Sequence, residues 1–197
     1  MTGVEAIERA ISAIDVANAE DPHRHGGEPL ALAQGRLADG WVVRLDPQAS
    51  AALRLAARAH HLRRWVVPRA TYPEGRAGYL RWRRDQKQRH AVELREILER
   101  SEVDAPIVER AVEIVAKIGL GSDPEVQVFE DAVCLTFLET QLGETAERLD
   151  AALMTDVIVK TLAKMSLEGK AAASMIDLDD RGRELLAGAV DQHPPTS

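Results

Sequence analysis

The chain of 197 residues has one cysteine, seven aromatic residues and no long apolar run, and each shortage excludes something. Cys134 alone cannot close an internal disulfide, which suits a reducing compartment. With Val133 and Leu135 beside it, it reads as a buried packing residue rather than a nucleophile. No stretch approaches the roughly 18 consecutive apolar residues that a membrane-crossing helix needs. Glu5, Glu8 and Arg9 interrupt the N-terminal segment, so no signal peptide is expected there. These absences predict a soluble, cytoplasmic protein with no membrane partner. Also missing are a Walker A loop, a GxGxxG turn, a GxSxG elbow, a HExxH helix, and the RNP, KH and zinc-knuckle signatures. Function therefore has to be argued from looser constellations.

Helical periodicity dominates what is present, and alternating strand patterns are nearly absent. Ile7, Ile11 and Ile14 mark an amphipathic helix over residues 4–18, which "AEDPHRHGGEP" breaks. A second helix is expected over 30–45. A third is expected from Asp46 as N-cap, with Pro47 in its first turn, to Trp65. Pro68, Pro73, Gly75 and Gly78 make residues 66–78 an irregular loop, because proline removes donors and glycine permits unusual backbone conformations. Further helices are expected over 77–100, 104–118, 123–149, 151–165, 167–176 and 179–191, with Asp123 before Pro124 as another cap. The fold class is all-α, a single-domain helical bundle over residues 1–192, with residues 193–197 ("HPPTS") a disordered tail.

Charge is unevenly spread. From Arg54 to Arg95 there are twelve basic residues and three acids, +9, while the rest of the chain carries −16. Such asymmetry points to a positive surface or pocket that attracts anions. Arg64, Arg69, Arg76 and Arg83 can offer forked donors to phosphate or carboxylate, with Trp65, Tyr72, Tyr79 and Trp82 as stacking faces. If the third helix is continuous, Arg54, Arg58, His61 and Trp65 share one stripe and His60 points about 100° away. That phase selects His61 and sets His60 aside. His90 falls on an inward stripe of the next helix. Glu130 and Asp131 interrupt apolar surface in "VFEDAVCLTFLE", and an acid there should meet a cation, a metal or several donors.

The segments "ANAEDP", "RLDPQAS", "LAARAHHLRRWVVPRATYP", "RAGYLRWR", "DPEVQVFEDAVCLTFLE" and "LAKMSLEGKAAA", together with His90, resemble the domain of unknown function 4202 family over most of the chain. A remoter similarity is to HD-domain phosphohydrolases, all-α proteins in which histidines and aspartates hold a metal. That similarity implies an HD-domain-like bundle, with His60–His61 standing where a His-Asp pair stands and Asp131 or Glu130 at the later aspartate. The second helix offers Gln34 and Arg36 where a histidine would stand. The expected function is binding of an anionic, phosphate-bearing small molecule. Its site would hold His61, His90, Glu130 and Asp131, with Arg36, Arg64, Trp65, Arg69, Tyr72, Arg76, Tyr79 and Arg83 as ligand contacts. A divalent metal on His61, His90 and Asp131 would make it a phosphohydrolase. The competing expectation is a non-catalytic module that binds RNA or nucleotide through the basic segment.

Overall fold

A computed structural model describes residues 3–148, 151–178 and 180–192; the expected tail at 193–197 lies outside them. Nine α-helices are found among the described residues: α1 (Gly3–Asn18), α2 (Leu30–Leu45), α3 (Ala51–Arg58), α4 (Gly75–Arg100), α5 (Ala105–Val115), α6 (Pro124–Arg148), α7 (Ala151–Leu162), α8 (Leu167–Ala173) and α9 (Asp180–Gln192). The only pairing of strands among these residues is a two-residue hairpin, β1 (Arg24–His25) with β2 (Glu28–Pro29), turned by Gly26 and Gly27 at positive φ. The protein is all-α, and none of the described helices is long and apolar enough to cross a membrane.

Helix α2 packs on α3 and α6, α3 on α5, and α4 on α5 and α1. Buried side chains from every helix join one core, in which Ile14, Leu53, Leu62, Leu98, Ile114, Phe129 and Leu138 are fully enclosed. Cys134 is buried in that core, as its neighbours predicted. The close approach of α2 to α3 requires a glycine: a Cβ on Gly35 would lie 2.5 Å from the carbonyl oxygen of Arg58. This contact holds Gln34 beside the end of α3.

The third helix differs from its expected span at both ends. Asp46 does not open it; its carboxylate accepts from the Gln48 N–H in a local turn, and Ser50 is the cap, accepting from the Leu53 N–H. Helix α3 then stops at Arg58, well short of Trp65. From Ala59 to Val66 the backbone closes short i to i+3 bonds, and Arg63 adopts a left-handed conformation at φ 47°. Tight turns of this kind reset the helical phase. The stripe linking Arg54 and Arg58 to His61 and Trp65 is therefore broken, and the two arginines serve a separate network with Asp39 and Asp15.

Residues 66–74 form the expected irregular loop, containing a second short turn at Arg69–Thr71. Its carbonyls are met by α4: Trp82 Nε1 and Gln86 Nε2 both donate to Val67 O, and Gln86 also donates to Arg64 O. Gly78 lets the loop lie on the helix, since a Cβ there would sit 1.9 Å from Pro73 O.

Candidate histidine site

Three imidazoles meet where the turn after α3 crosses α2 and α4. The rings of His60 and His61 are 4.2 Å apart, and those of His61 and His90 are 6.4 Å apart. His60 and His90 are buried and His61 is partly covered. His60 thus belongs to the group from which helix phase excluded it, because the helix carrying that phase ends two residues earlier.

Two of the rings are oriented through Nδ1. His60 Nδ1 lies 2.9 Å from Ala57 O, and a carbonyl can only accept, so Nδ1 carries the proton. The third ring, His90, lies against the backbone of His60. For His61 the proton is fixed by a chain of side chains: Thr140 Oγ1 donates to Thr136 O, Gln34 Nε2 donates to Thr140 Oγ1 at 3.0 Å, and Gln34 Oε1 faces His61 Nδ1 at 2.6 Å. All three rings are neutral, and those of His60 and His61 turn a bare Nε2 away from these tethers. In His60 and His90 that nitrogen is buried without a hydrogen-bond partner among the described residues.

The surroundings favour the uncharged form. Burial lowers the His60 pKa to about 4, helped by Lys117 and Arg64. Burial lowers His90 to about 3, helped by Arg64 and Arg89. His61 lies well below its ordinary value, through burial and then through His60 and Arg64. The charges acting on the cluster are therefore cationic. Arg64 lies 4.4 Å over the Trp82 ring, and burial lowers its own pKa to about 10. Lys117, just past the end of α5, holds a left-handed φ of 56° and is bonded to Glu130.

The expected acids have other partners. Glu130 pairs with Lys117, and its second oxygen lies 3.9 Å from the Cys134 thiol, whose pKa burial pushes up to about 12. Asp131 accepts from the N–H and hydroxyl of Ser166 and from Gln127 Nε2, at 2.9, 2.6 and 3.0 Å, and so anchors the start of α8. Burial raises its pKa. None of the histidines is among the contacts of Asp131. The set of His61, His90 and Asp131 fits a metal poorly on these grounds: the carboxylate is committed elsewhere, and the Arg64 guanidinium beside the rings would repel a cation.

The expected ligand contacts divide. Arg64 stands at the cluster. Trp65 is partly buried in the turn beside it. Arg69 is spent on the carbonyls of Tyr72, Pro73 and Gly75, and Tyr72 donates to Asp85, so both hold the loop. Arg76, Tyr79 and Arg83 lie on the outer surface of α4, with Arg83 5.7 Å over the Tyr79 ring. Arg36 faces away and pairs with Glu28 and Asp15. Sequence reasoning missed His60, Gln34 as a contact and Lys117. Gln34, polar within the apolar run "LALAQG", was the one readable signal.

A family described as "Domain of unknown function (DUF4202)" matches residues 8–186. The chain belongs to this family. No curated protein matches it, and no solved structure does. The DUF4202 match spans α2, the turn after α3, and α4, so all three histidines and Gln34 lie inside the family segment.

Proposed function

We propose that this DUF4202 protein binds an anionic, phosphate-bearing small molecule at the cluster of His60, His61 and His90, with Arg64 and Lys117 supplying charge. The observation that carries the reading is the pair of buried, partnerless Nε2 atoms on His60 and His90 inside a cationic surround. A buried polar atom without a partner costs free energy, and cations held close together repel. A protonated phosphate answers both, because its charge offsets the repulsion and its P–OH group can donate to a bare Nε2, which itself can only accept. His61, the least covered ring, is the side from which it would enter.

The reading is also an HD-like one. His60–His61 takes the place of the His-Asp pair of HD-domain phosphohydrolases, and Gln34, not Arg36, takes that of the upstream histidine. Both carboxylates that a hydrolytic step would need are engaged elsewhere, Glu130 with Lys117 and Asp131 with Ser166.

A thermal-shift panel of orthophosphate, phosphate esters and nucleotides tests the proposal, since a ligand that binds only the folded state raises its melting temperature. The expected result is a rise of several degrees with at least one phosphate compound, absent in His61→Gln. No shift across the panel would refute it. Elemental analysis of protein purified without chelator tests the hydrolase variant: a stoichiometric metal, with phosphatase activity, would restore it.

A further inference from the structure

The first half of α4 carries a second positive feature that the histidine site does not use. Arg76, Leu80, Arg83, Arg84 and Lys87 recur at i, i+4, i+7, i+8 and i+11, so they form one straight stripe, and all five are exposed. At 1.5 Å per residue the stripe runs about 16 Å. Of its four cations only Arg84 has an ion-pair partner among the described residues, Asp85. Tyr79 lies beside the stripe, 43% exposed, under Arg83.

This arrangement does not help the helix. Cations in the first turns of a helix face the positive end of its dipole, where acids are preferred. Arg76 lies in the first turn, and the N-cap Glu74 makes no side-chain capping bond. An external polyanion explains why Arg76, Arg83 and Lys87 stand together with no ion-pair partner among the described residues.

We propose that the Arg76–Lys87 ridge of α4 docks single-stranded RNA, with the cations on successive phosphates and a base stacked on Tyr79. Charge complementarity selects this occupant over others. A protein interface needs an apolar centre from which charge is depleted, and the ridge offers only Leu80. A membrane-surface helix needs a free apolar face, whereas the opposite side of this helix is filled by Trp82 and Gln86, both bound to the loop. Arginine forks and an exposed ring are what a flexible phosphate chain with stackable bases requires.

The test uses the full chain and a fluorescent U-rich RNA oligomer, with binding followed by anisotropy from low to moderate salt. The expected slope of log affinity against log salt is about −2 to −3, since each phosphate contact on a single strand contributes about −0.7. The triple variant Arg76→Glu, Arg83→Glu, Lys87→Glu should bind at least tenfold more weakly while melting within a few degrees of the parent, because all three side chains are exposed. Tyr79→Ala should weaken binding severalfold and leave the salt slope unchanged, separating stacking from charge. Absence of binding at low salt, a flat salt response, or unchanged affinity in the triple variant would overturn the proposal. So would preferential binding of a polyglutamate peptide or of phosphatidylserine vesicles.

Discussion

The two halves of α4 obey one periodicity and meet opposite surroundings. Gly78, Trp82, Gln86, His90, Leu94 and Leu98 form a single buried line at steps of four. Along its first half that line faces a loop, and polar N–H groups of Trp82 and Gln86 satisfy loop carbonyls. Along its second half it faces the core through Leu94, Ile97 and Leu98. His90 stands at the changeover, buried like a core residue yet with an unanswered nitrogen. A helix that passes from an apolar neighbour to a polar one leaves a place where neither kind of packing is complete, and that is where a ligand can be accommodated.

Acid should separate the halves most strongly. The folded pKa values of His60 and His90, about 4 and about 3, lie below the unfolded value near 6.5. Above pH 6.5 neither state holds the protons and nothing is lost. As pH falls below 6.5 the unfolded chain takes protons that the folded rings refuse, so stability drops until about pH 4 for His60 and about pH 3 for His90. At 1.4 kcal/mol per pKa unit this is on the order of 3–5 kcal/mol for each ring as an upper figure. Burial-raised Asp131 and Glu93 work in the opposite sense. Urea titrations at pH 7.5, 5.5 and 4.5 should show the loss, and His90→Gln should flatten it; equal slopes in both proteins would mean the junction does not hold a neutral ring.

Leu98→Ala should cost about 3 kcal/mol, from the lost burial and the cavity left behind, and lower the melting temperature by roughly 6–12 °C. A loss under about 1 kcal/mol would contradict the core assignment of the second half.

Gln86→Leu removes both Gln86 bonds to the loop and strands the carbonyl of Arg64, while Val67 keeps its bond from Trp82. The expected cost is about 1–3 kcal/mol, felt locally. Hydrogen exchange should accelerate in residues 64–74 more than in α5 or α6. Uniform acceleration would show that the loop is no separate unit.

Leu80→Ala, on the exposed ridge, should change stability by no more than about 0.5 kcal/mol. Calorimetry beside Leu98→Ala then compares two leucines of one helix directly, and a larger loss would place the ridge in contact with something that buries it.

Elements governed by neighbours in sequence were legible beforehand. Helix α2 spans the expected residues, and Asp123 caps α6 by accepting from the N–H groups of Glu125 and Val126. The end of α3 was not legible, because nothing in "ARAHHLRRW" breaks a helix. The turns there are held from α4, where Gln86 and Arg89 donate to the carbonyls of Arg64 and Arg63. His60 was misjudged for that reason alone, its phase having been extrapolated through a helix that distant residues had ended. Glu130 and Asp131 were rightly expected to be buried and partnered, while the identity of Lys117 and Ser166 as partners depends on tertiary placement.

The chain from His61 through Gln34 and Thr140 to the carbonyl of Thr136 ends on the peptide backbone, a group with no alternative tautomer. A carbonyl oxygen only accepts, so the hydroxyl next to it must give, the amide must give in turn, and the ring nitrogen is left one role. Direction is thereby inherited over three side chains from an atom in the middle of α6. Gln34→Leu would remove the second link altogether, and the position of the His61 proton would pass from the fold to the solvent.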